Sequence, residues 1–281
     1  MTWRQAALTA LLASGLLAAW YRYSIEKNRL RRLAELYLWL GPILPLGVLS
    51  QVHHAAGLHA FVPAAVVHLG LIGLALFGVT ARLAGGLLIV GSTVVWLGAA
   101  TFPGMQLEQV ASHRMSHWIT SGGFLLGALI TLAGFTLLTV LLHDAGERVL
   151  SHLGWAAFLV AVVSWLFHLA FRATVMLSAA EELASSGAAP PWYPALREWS
   201  GSMYAIYMTL AYLATAAYGG AMRKTGWAGR GWGRAFVIFG LVAAAGFVAR
   251  TGAFNPPLLV QFMPYAMGMI LIRRTAATAD V

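Results

Sequence analysis

Long apolar segments alternate with short charged or turn-forming segments along the whole chain. An α-helix needs about 20 apolar residues to cross the hydrocarbon core of a bilayer, and most of these segments approach that length. The pattern predicts an all-α, polytopic integral membrane bundle of eight or nine transmembrane helices. The predicted helices cover Gln5–Tyr21, Ala34–Gly57, Phe61–Ala81, Gly85–Phe102, Ser116–Leu142, Leu153–Ala180, Gly201–Met222, Ala235–Val248 and Pro257–Ile272.

These helices leave no room for a separate soluble domain, so residues 1–281 are predicted to form a single transmembrane domain. Of the residues, 60% are hydrophobic and 10% charged, whereas a soluble domain carries roughly 25% charged residues. The internal organisation has two interpretations. Residues 34–142 and 153–272 are either a four-helix duplication preceded by an extra helix at residues 5–21, or a four-helix period that arose by chance.

The formal charge of +9 comes from short basic clusters between the apolar segments. Such clusters orient a membrane protein, because loops rich in Lys and Arg stay in the cytoplasm. An N-out, C-in path places 13 of the 18 basic residues inside, namely Arg22, Lys27, Arg29, Arg31, Arg32, Arg82, Arg148, Arg223, Lys224, Arg230, Arg234, Arg273 and Arg274. The sequence therefore predicts a multi-pass protein of a bacterial inner membrane, in contact with lipid and without a nucleic-acid partner.

Several chemistries are excluded by composition. The chain has no cysteine, so it cannot hold an iron–sulfur cluster, a thiolate-ligated haem or a covalently attached c-type haem. No Walker loop or dinucleotide-binding motif is present. Any metal or cofactor must be held by His, Met or carboxylate side chains.

Seven of the nine histidines are predicted at the outer side of the membrane, in or beside apolar segments. Ionisable residues inside spanning helices face the bundle interior or a water-filled cavity, and histidine can ligate a metal or haem iron or relay protons. His59, His113, His143 and His152 are interpreted as solvated. The remaining candidates for binding a cofactor are His53, His54, His68, His117 and His168, together with Arg172 and Glu182.

His68 lies in the otherwise apolar, glycine-rich segment Val66–Gly78. This segment resembles the haem-ligating helices of proteins related to the main subunit of haem-copper oxidases. The resemblance covers about a twentieth of the chain and implies a haem ligand at His68. The size and N-out topology are also similar to the quinol-binding membrane anchors of molybdenum reductases. Neither resemblance assigns the chain to a family.

His113 and His117 are four residues apart, so on a helix they would share one face. Arg114 follows the first histidine where zinc proteases have glutamate, so no metalloprotease motif is present. In the predicted helix that follows, His168 precedes Arg172 by one turn. Arg172 either extends to the outer headgroups or needs one of the outer acids, Glu108, Glu181 and Glu182. An Arg–Glu–His arrangement would receive a quinone or an anionic solute.

The leading hypothesis is a membrane redox subunit, active in electron transport, that binds a b-type haem, a quinone or both near the outer leaflet. The predicted haem ligand pairs are His53 or His54 with His168, and His68 with His117. A metal site would use His68, His117 and His168. The alternative is a transporter or channel with a His- and Arg-lined vestibule, whose helix breaks would lie at Pro42, Pro45 and Pro264. A histidine–metal enzyme and a structural subunit of a larger membrane complex are further hypotheses, and no catalytic residue is assigned.

Overall fold

A computed structural model describes residues 80–249 and 257–278, and this part of the chain is all-helical without strands. The predicted spans before residue 80 lie outside the described residues, and with them His53, His54, His59 and His68. In chain order the helices are α1 (Thr80–Ala100), α2 (Leu107–Ser112), α3 (Arg114–Asp144), α4 (Val149–Ala173), α5 (Val175–Ser186), α6 (Tyr193–Lys224), α7 (Arg230–Val248) and α8 (Pro257–Thr278).

Four of these helical stretches are long and apolar enough to cross a membrane, and they cover Ala81–Ala100, Arg114–Asp144, Val149–Ser186 and Arg230–Val248. The all-helical character predicted from the hydropathy pattern is therefore confirmed for the described residues, and the four long apolar helices support the multi-pass membrane character. Helices α6 and α8 are also of spanning length, but their sequences are more polar, and they fall outside this set.

Helices α1 and α3 pack together through glycine. A Cβ atom on Gly127 would lie 2.7 Å from the carbonyl oxygen of Gly91, and one on Gly123 would lie 2.9 Å from the Cα of Gly98. Small residues let two helix backbones approach closely in a membrane, where van der Waals contact drives helix association. The Gly123-x-x-x-Gly127 spacing on α3 thus serves close packing against α1.

The other main contacts join α4 to α6, α6 to α7 and α8 to α1. In the core, the Tyr218 ring of α6 stacks on Phe135 of α3 with ring centroids 4.4 Å apart. The Tyr218 hydroxyl lies 2.7 Å from Oγ1 of Thr139 and 3.1 Å from the Phe135 carbonyl, to which it donates. Both hydrogen bonds satisfy a polar group that hydrocarbon cannot solvate.

The predicted helix Leu153–Ala180 is wrong as a single element, because the structure divides it at Thr174. Thr174 has φ −123° and ψ −70°, and the chain continues as the separate helix α5. Helix α5 packs against α2 in a small apolar cluster with Phe171 and Tyr193. Apolar residues lie on both sides of Thr174, so the hydropathy pattern does not reveal the break.

Two helices that contain proline differ from the prediction. Helix α6 begins at Tyr193 rather than at the predicted Gly201, with Pro194 in its first turn. Proline is tolerated there because the first turn has no partner for its N–H. Pro264 lies inside α8, which continues through it, so the helix break expected there is absent.

Candidate functional site

A cavity of about 560 Å³ lies where α1, α3, α4, α6 and α8 converge. Its wall is mostly apolar and carries four aromatic rings, with two strongly polar side chains from α4. The lining residues are Ala99, Phe102, Met105, Phe124, Trp165, His168, Arg172, Tyr204, Pro257 and Leu258. Ligand sites are commonly cavities of roughly 300–1,000 Å³ with apolar walls and a few polar groups, so this cavity is the candidate site.

Helix α8 contributes its first turn, with Pro257 and Leu258, to the wall of the cavity. The indole N–H of Trp96 on α1 donates to the carbonyl of Leu258 at 3.3 Å, and the Trp96 ring also contacts Phe262 and Tyr265. Because Trp96 is fully buried, these contacts fix the start of α8 against α1. The cavity wall formed by Pro257 and Leu258 is thereby positioned.

His168 is held in place by its neighbours on α4 and α6. Its side chain is only 7% exposed, and its ring stacks on Trp165 with centroids 5.1 Å apart. Nδ1 lies 3.1 Å from the carbonyl oxygen of Ser200 and 2.9 Å from the Ser200 hydroxyl. A carbonyl oxygen can only accept, so in the tautomer that makes the first of these bonds Nδ1 carries the proton and Nε2 of the neutral ring has the lone pair. No described residue is hydrogen-bonded to Nε2.

Arg172 lies one turn beyond His168 on the same face of α4. It is only 3% exposed, so it does not extend to the headgroups, and that expectation is wrong. Its guanidinium carbon lies 5.2 Å from the ring centroid of Phe102 and 5.7 Å from that of Phe124. Within the described chain its buried Nε and Nη2 atoms have no hydrogen-bond partner. Contact with the two aromatic faces offsets part of the cost of burying this cation.

The predicted outer acids do not reach Arg172. Glu181 pairs instead with Arg114 at the start of α3, Glu182 lies on the exposed face of α5, and Glu108 is exposed on α2. None of the three lines the cavity. The Arg–Glu–His arrangement expected from the sequence is therefore reduced, among the described residues, to the pair His168 and Arg172.

His117 is fully buried, but it does not line the cavity. Its Nε2 lies 2.8 Å from the backbone carbonyl of Arg172, to which it donates, and its Nδ1 has no described partner. His113 precedes α3 and is exposed, so the two histidines do not form the one-face pair that their spacing suggested. The bond to Arg172 ties α3 to the end of α4, behind the cavity.

A metal cluster is not found in the part of the chain that the structure describes, where no three His, Asp or Glu side chains come together. The proposed set His68, His117 and His168 includes one residue outside that part, so it stays a prediction.

At the opposite end of the bundle, the rings of His143 and His152 lie 4.1 Å apart. His152 is exposed and bonded through Nδ1 to the carbonyl of Arg148 at 2.7 Å.

Two site residues were missed by sequence reasoning. Ser200 orients His168, and Tyr204 lies one turn further along α6 with its ring 5.3 Å from that of His168. Ser200 lies one residue before the predicted helix start at Gly201, and Tyr204 lies inside the predicted helix. Their four-residue spacing places them on one helix face, a signal that becomes visible only when the helix is known to include Ser200. Comparison with protein-family models, curated proteins and solved structures finds no match for this chain.

Proposed function

We propose that this chain is a membrane redox subunit that binds a b-type haem in the cavity beside His168. The observation that carries the proposal is the hydrogen bonding of the His168 ring, in which Nδ1 contacts Ser200 and Nε2 has no described partner. Histidines that ligate a metal commonly donate their second ring N–H to a backbone carbonyl, which fixes the tautomer and the ring orientation. His168 makes such a bond to Ser200, and its Nε2 is the atom available to iron.

The surroundings of His168 support a flat, apolar cofactor. The rings of Trp165, Tyr204 and Phe124 line the same cavity, and aromatic side chains pack favourably against another π-system. The second axial ligand of a six-coordinate haem would be the predicted partner His53 or His54, both outside the described residues. A five-coordinate haem would need His168 alone.

Charge supports a site near the outer leaflet. The end of the bundle that carries residues 144–149 and 224–230 holds most of the basic side chains: Arg82, Arg148, Arg223, Lys224, Arg230, Arg234, Arg273 and Arg274. Under the positive-inside rule this end is cytoplasmic. The cavity lies toward the other end, where α4 finishes and α6 begins. On this proposal the chain is C-in, resides in a bacterial inner membrane and spans it eight or nine times.

An absorption spectrum of the purified full chain, before and after dithionite, tests the proposal. We expect a Soret band that shifts on reduction, and we expect the His168→Ala variant to lose most of the bound haem because its iron ligand is gone. His152→Ala is the matched control, since His152 is exposed at the opposite end of the bundle. A protein that carries no haem and takes up none when haemin is supplied contradicts the proposal.

A quinone is the second candidate for the same cavity. The N–H groups of Arg172 that lack a described partner would donate to a quinone oxygen, and the Nε2 lone pair of His168 would accept the proton of a quinol hydroxyl. Quinone extracted from the purified protein, in an amount reduced by His168→Ala and in the absence of a Soret band, would favour this candidate over haem.

Transport of an anionic solute is a different function, and the buried cation Arg172 is the observation that favours it. The expected break at Pro264 does not support it, because α8 is continuous. Thermal stabilisation of the protein by a small anion, in a sample that contains neither haem nor quinone, would favour transport over the redox function.

A further inference from the structure

We propose that Arg172 binds the anionic group of the molecule that occupies the cavity, and that this molecule is a flat, apolar compound bearing a carboxylate. A b-type haem has both features, because its ring is apolar and its edge carries two propionates. For a bound haem, Arg172 is the subsite of the propionate edge, and only this part of the inference rests on the proposed function. A free aromatic carboxylate has the same chemistry.

The first argument is the cost of a buried charge. Arginine stays protonated in proteins, and an ionised group removed from water is strongly destabilising unless it is paired. Arg172 is buried, and its described contacts are two aromatic rings with no carboxylate within salt-bridge distance. Cation–π contact offsets only part of such a cost. A residue of this kind is stabilised when a ligand brings the missing negative charge.

The second argument is that the chain has few acids that could supply that charge. From residue 36 to residue 107, and from residue 250 to residue 279, the sequence contains no Asp or Glu. Glu26 and Glu35 lie outside the described residues, within and just after the basic segment that the sequence predicts to be cytoplasmic. The described acids near the cavity end are exposed or paired with Arg114. No acid of the described residues supplies the counter-ion, and we infer that the ligand does.

The third argument is geometric. Nε and Nη2, the two nitrogens without a described partner, form one edge of the guanidinium, and their parallel N–H bonds match the two oxygens of a carboxylate. Both atoms are covered by neighbouring groups, so an incoming carboxylate has to turn the guanidinium toward the cavity. His168 lies one helical turn away, which separates the charged end of the ligand from the atom held by Nε2.

The test uses the full-length protein freed of haem and titrated with two probes, haemin and its dimethyl ester, which lacks the carboxylates. We expect the unmodified protein to bind haemin at least roughly tenfold more tightly than the ester. Arg172→Gln should remove this preference, and Arg172→Lys should keep part of it. The control Arg197→Gln should leave it unchanged, because Arg197 is exposed at the same end. A second pair, 1-pyrenebutyrate and 1-pyrenebutanol, tests a free aromatic carboxylate.

The outcomes separate the two proposals. Binding of haemin that depends on His168, with no preference over the ester, overturns the anion site and leaves the haem function intact. No binding of haemin, with an Arg172-dependent preference for pyrenebutyrate, overturns the haem function and supports the anion site. No Arg172-dependent preference for either acid overturns the anion site. The haem-free Arg172→Gln protein should unfold at a temperature no lower than the unmodified protein, and clear destabilisation would indicate a structural cation and overturn the inference.

Discussion

At the scale of single residues, the site depends on which nitrogen of each histidine is engaged. His168 uses Nδ1 on Ser200 and lines the cavity, whereas His117 uses Nε2 on the Arg172 carbonyl. The two histidines are about equally buried, and the sequence places both in apolar helices. Only their hydrogen-bond partners distinguish a candidate ligand from a side chain that joins two helices.

His117→Ala should lower the free energy of unfolding by roughly 2–4 kcal/mol, because it leaves a cavity and a carbonyl without its donor. It should leave the absorption spectrum of the bound haem unchanged, since His117 does not line the cavity. Denaturant unfolding in detergent and a visible spectrum measure the two effects. The control is His113→Ala, at an exposed residue. A lost or shifted Soret band would restore His117 to the predicted ligand pair with His68.

Ser200 and Tyr204 show why the site was only partly predictable. His168 and Arg172 stand out in the sequence because ionisable residues are rare in apolar helices. Serine and tyrosine are common in such segments, and nothing in their types indicates that they contact a histidine 32 and 36 positions earlier in the chain. Glu182 was included for its charge, but α5 turns it to the exposed side.

At the scale of helices, the contact between α1 and α3 depends on glycine. Gly91 and Gly127 face each other closely enough that a Cβ on Gly91 would lie 2.8 Å from the carbonyl oxygen of Gly127. Such contacts hold α1 where Ala99 lines the cavity and where Trp96 fixes the first turn of α8. The site therefore depends on packing that occurs well away from its polar residues.

Gly127→Ala should destabilise the protein by roughly 1–3 kcal/mol, because the added methyl group meets backbone atoms of α1 that cannot yield easily. Gly122→Ala is the matched control on the same helix. A Cβ at Gly122 meets nothing within 4 Å, and alanine favours a helix over glycine by about 0.5–1 kcal/mol. In thermal unfolding in detergent, Gly127→Ala should unfold at a lower temperature than the unmodified protein, and Gly122→Ala at a higher one. Equal stabilities for both would contradict the close contact.

At the scale of the whole molecule, the charge distribution predicts an orientation. Four of the six acidic residues of the described chain, Glu108, Glu181, Glu182 and Glu198, lie at the cavity end, whereas Asp144 and Glu147 lie with the basic clusters at the opposite end. The absence of cysteine provides a clean background for labelling, because every reactive thiol in a variant is then an introduced one.

Ser185→Cys, on exposed α5, should react with a membrane-impermeant maleimide added to spheroplasts. Gly229→Cys, exposed before α7, should react only after the membrane is permeabilised. Gel-shift detection of the labelled protein measures both reactions. The reverse pattern would place the cavity near the cytoplasmic leaflet and contradict the N-out, C-in topology.

The sequence by itself determined that this is an all-helical, multi-pass membrane protein, because the hydrophobic length of each segment is a local property. It also singled out His168 and Arg172, since a charged or titratable group in an apolar helix is visible without knowing its neighbours. The tertiary structure alone decided where the long helix breaks at Thr174, how early α6 begins and which side chains meet. Which side chains meet depends on how helices that are far apart in the chain pack together. The order of polar and apolar residues along the chain does not contain that information.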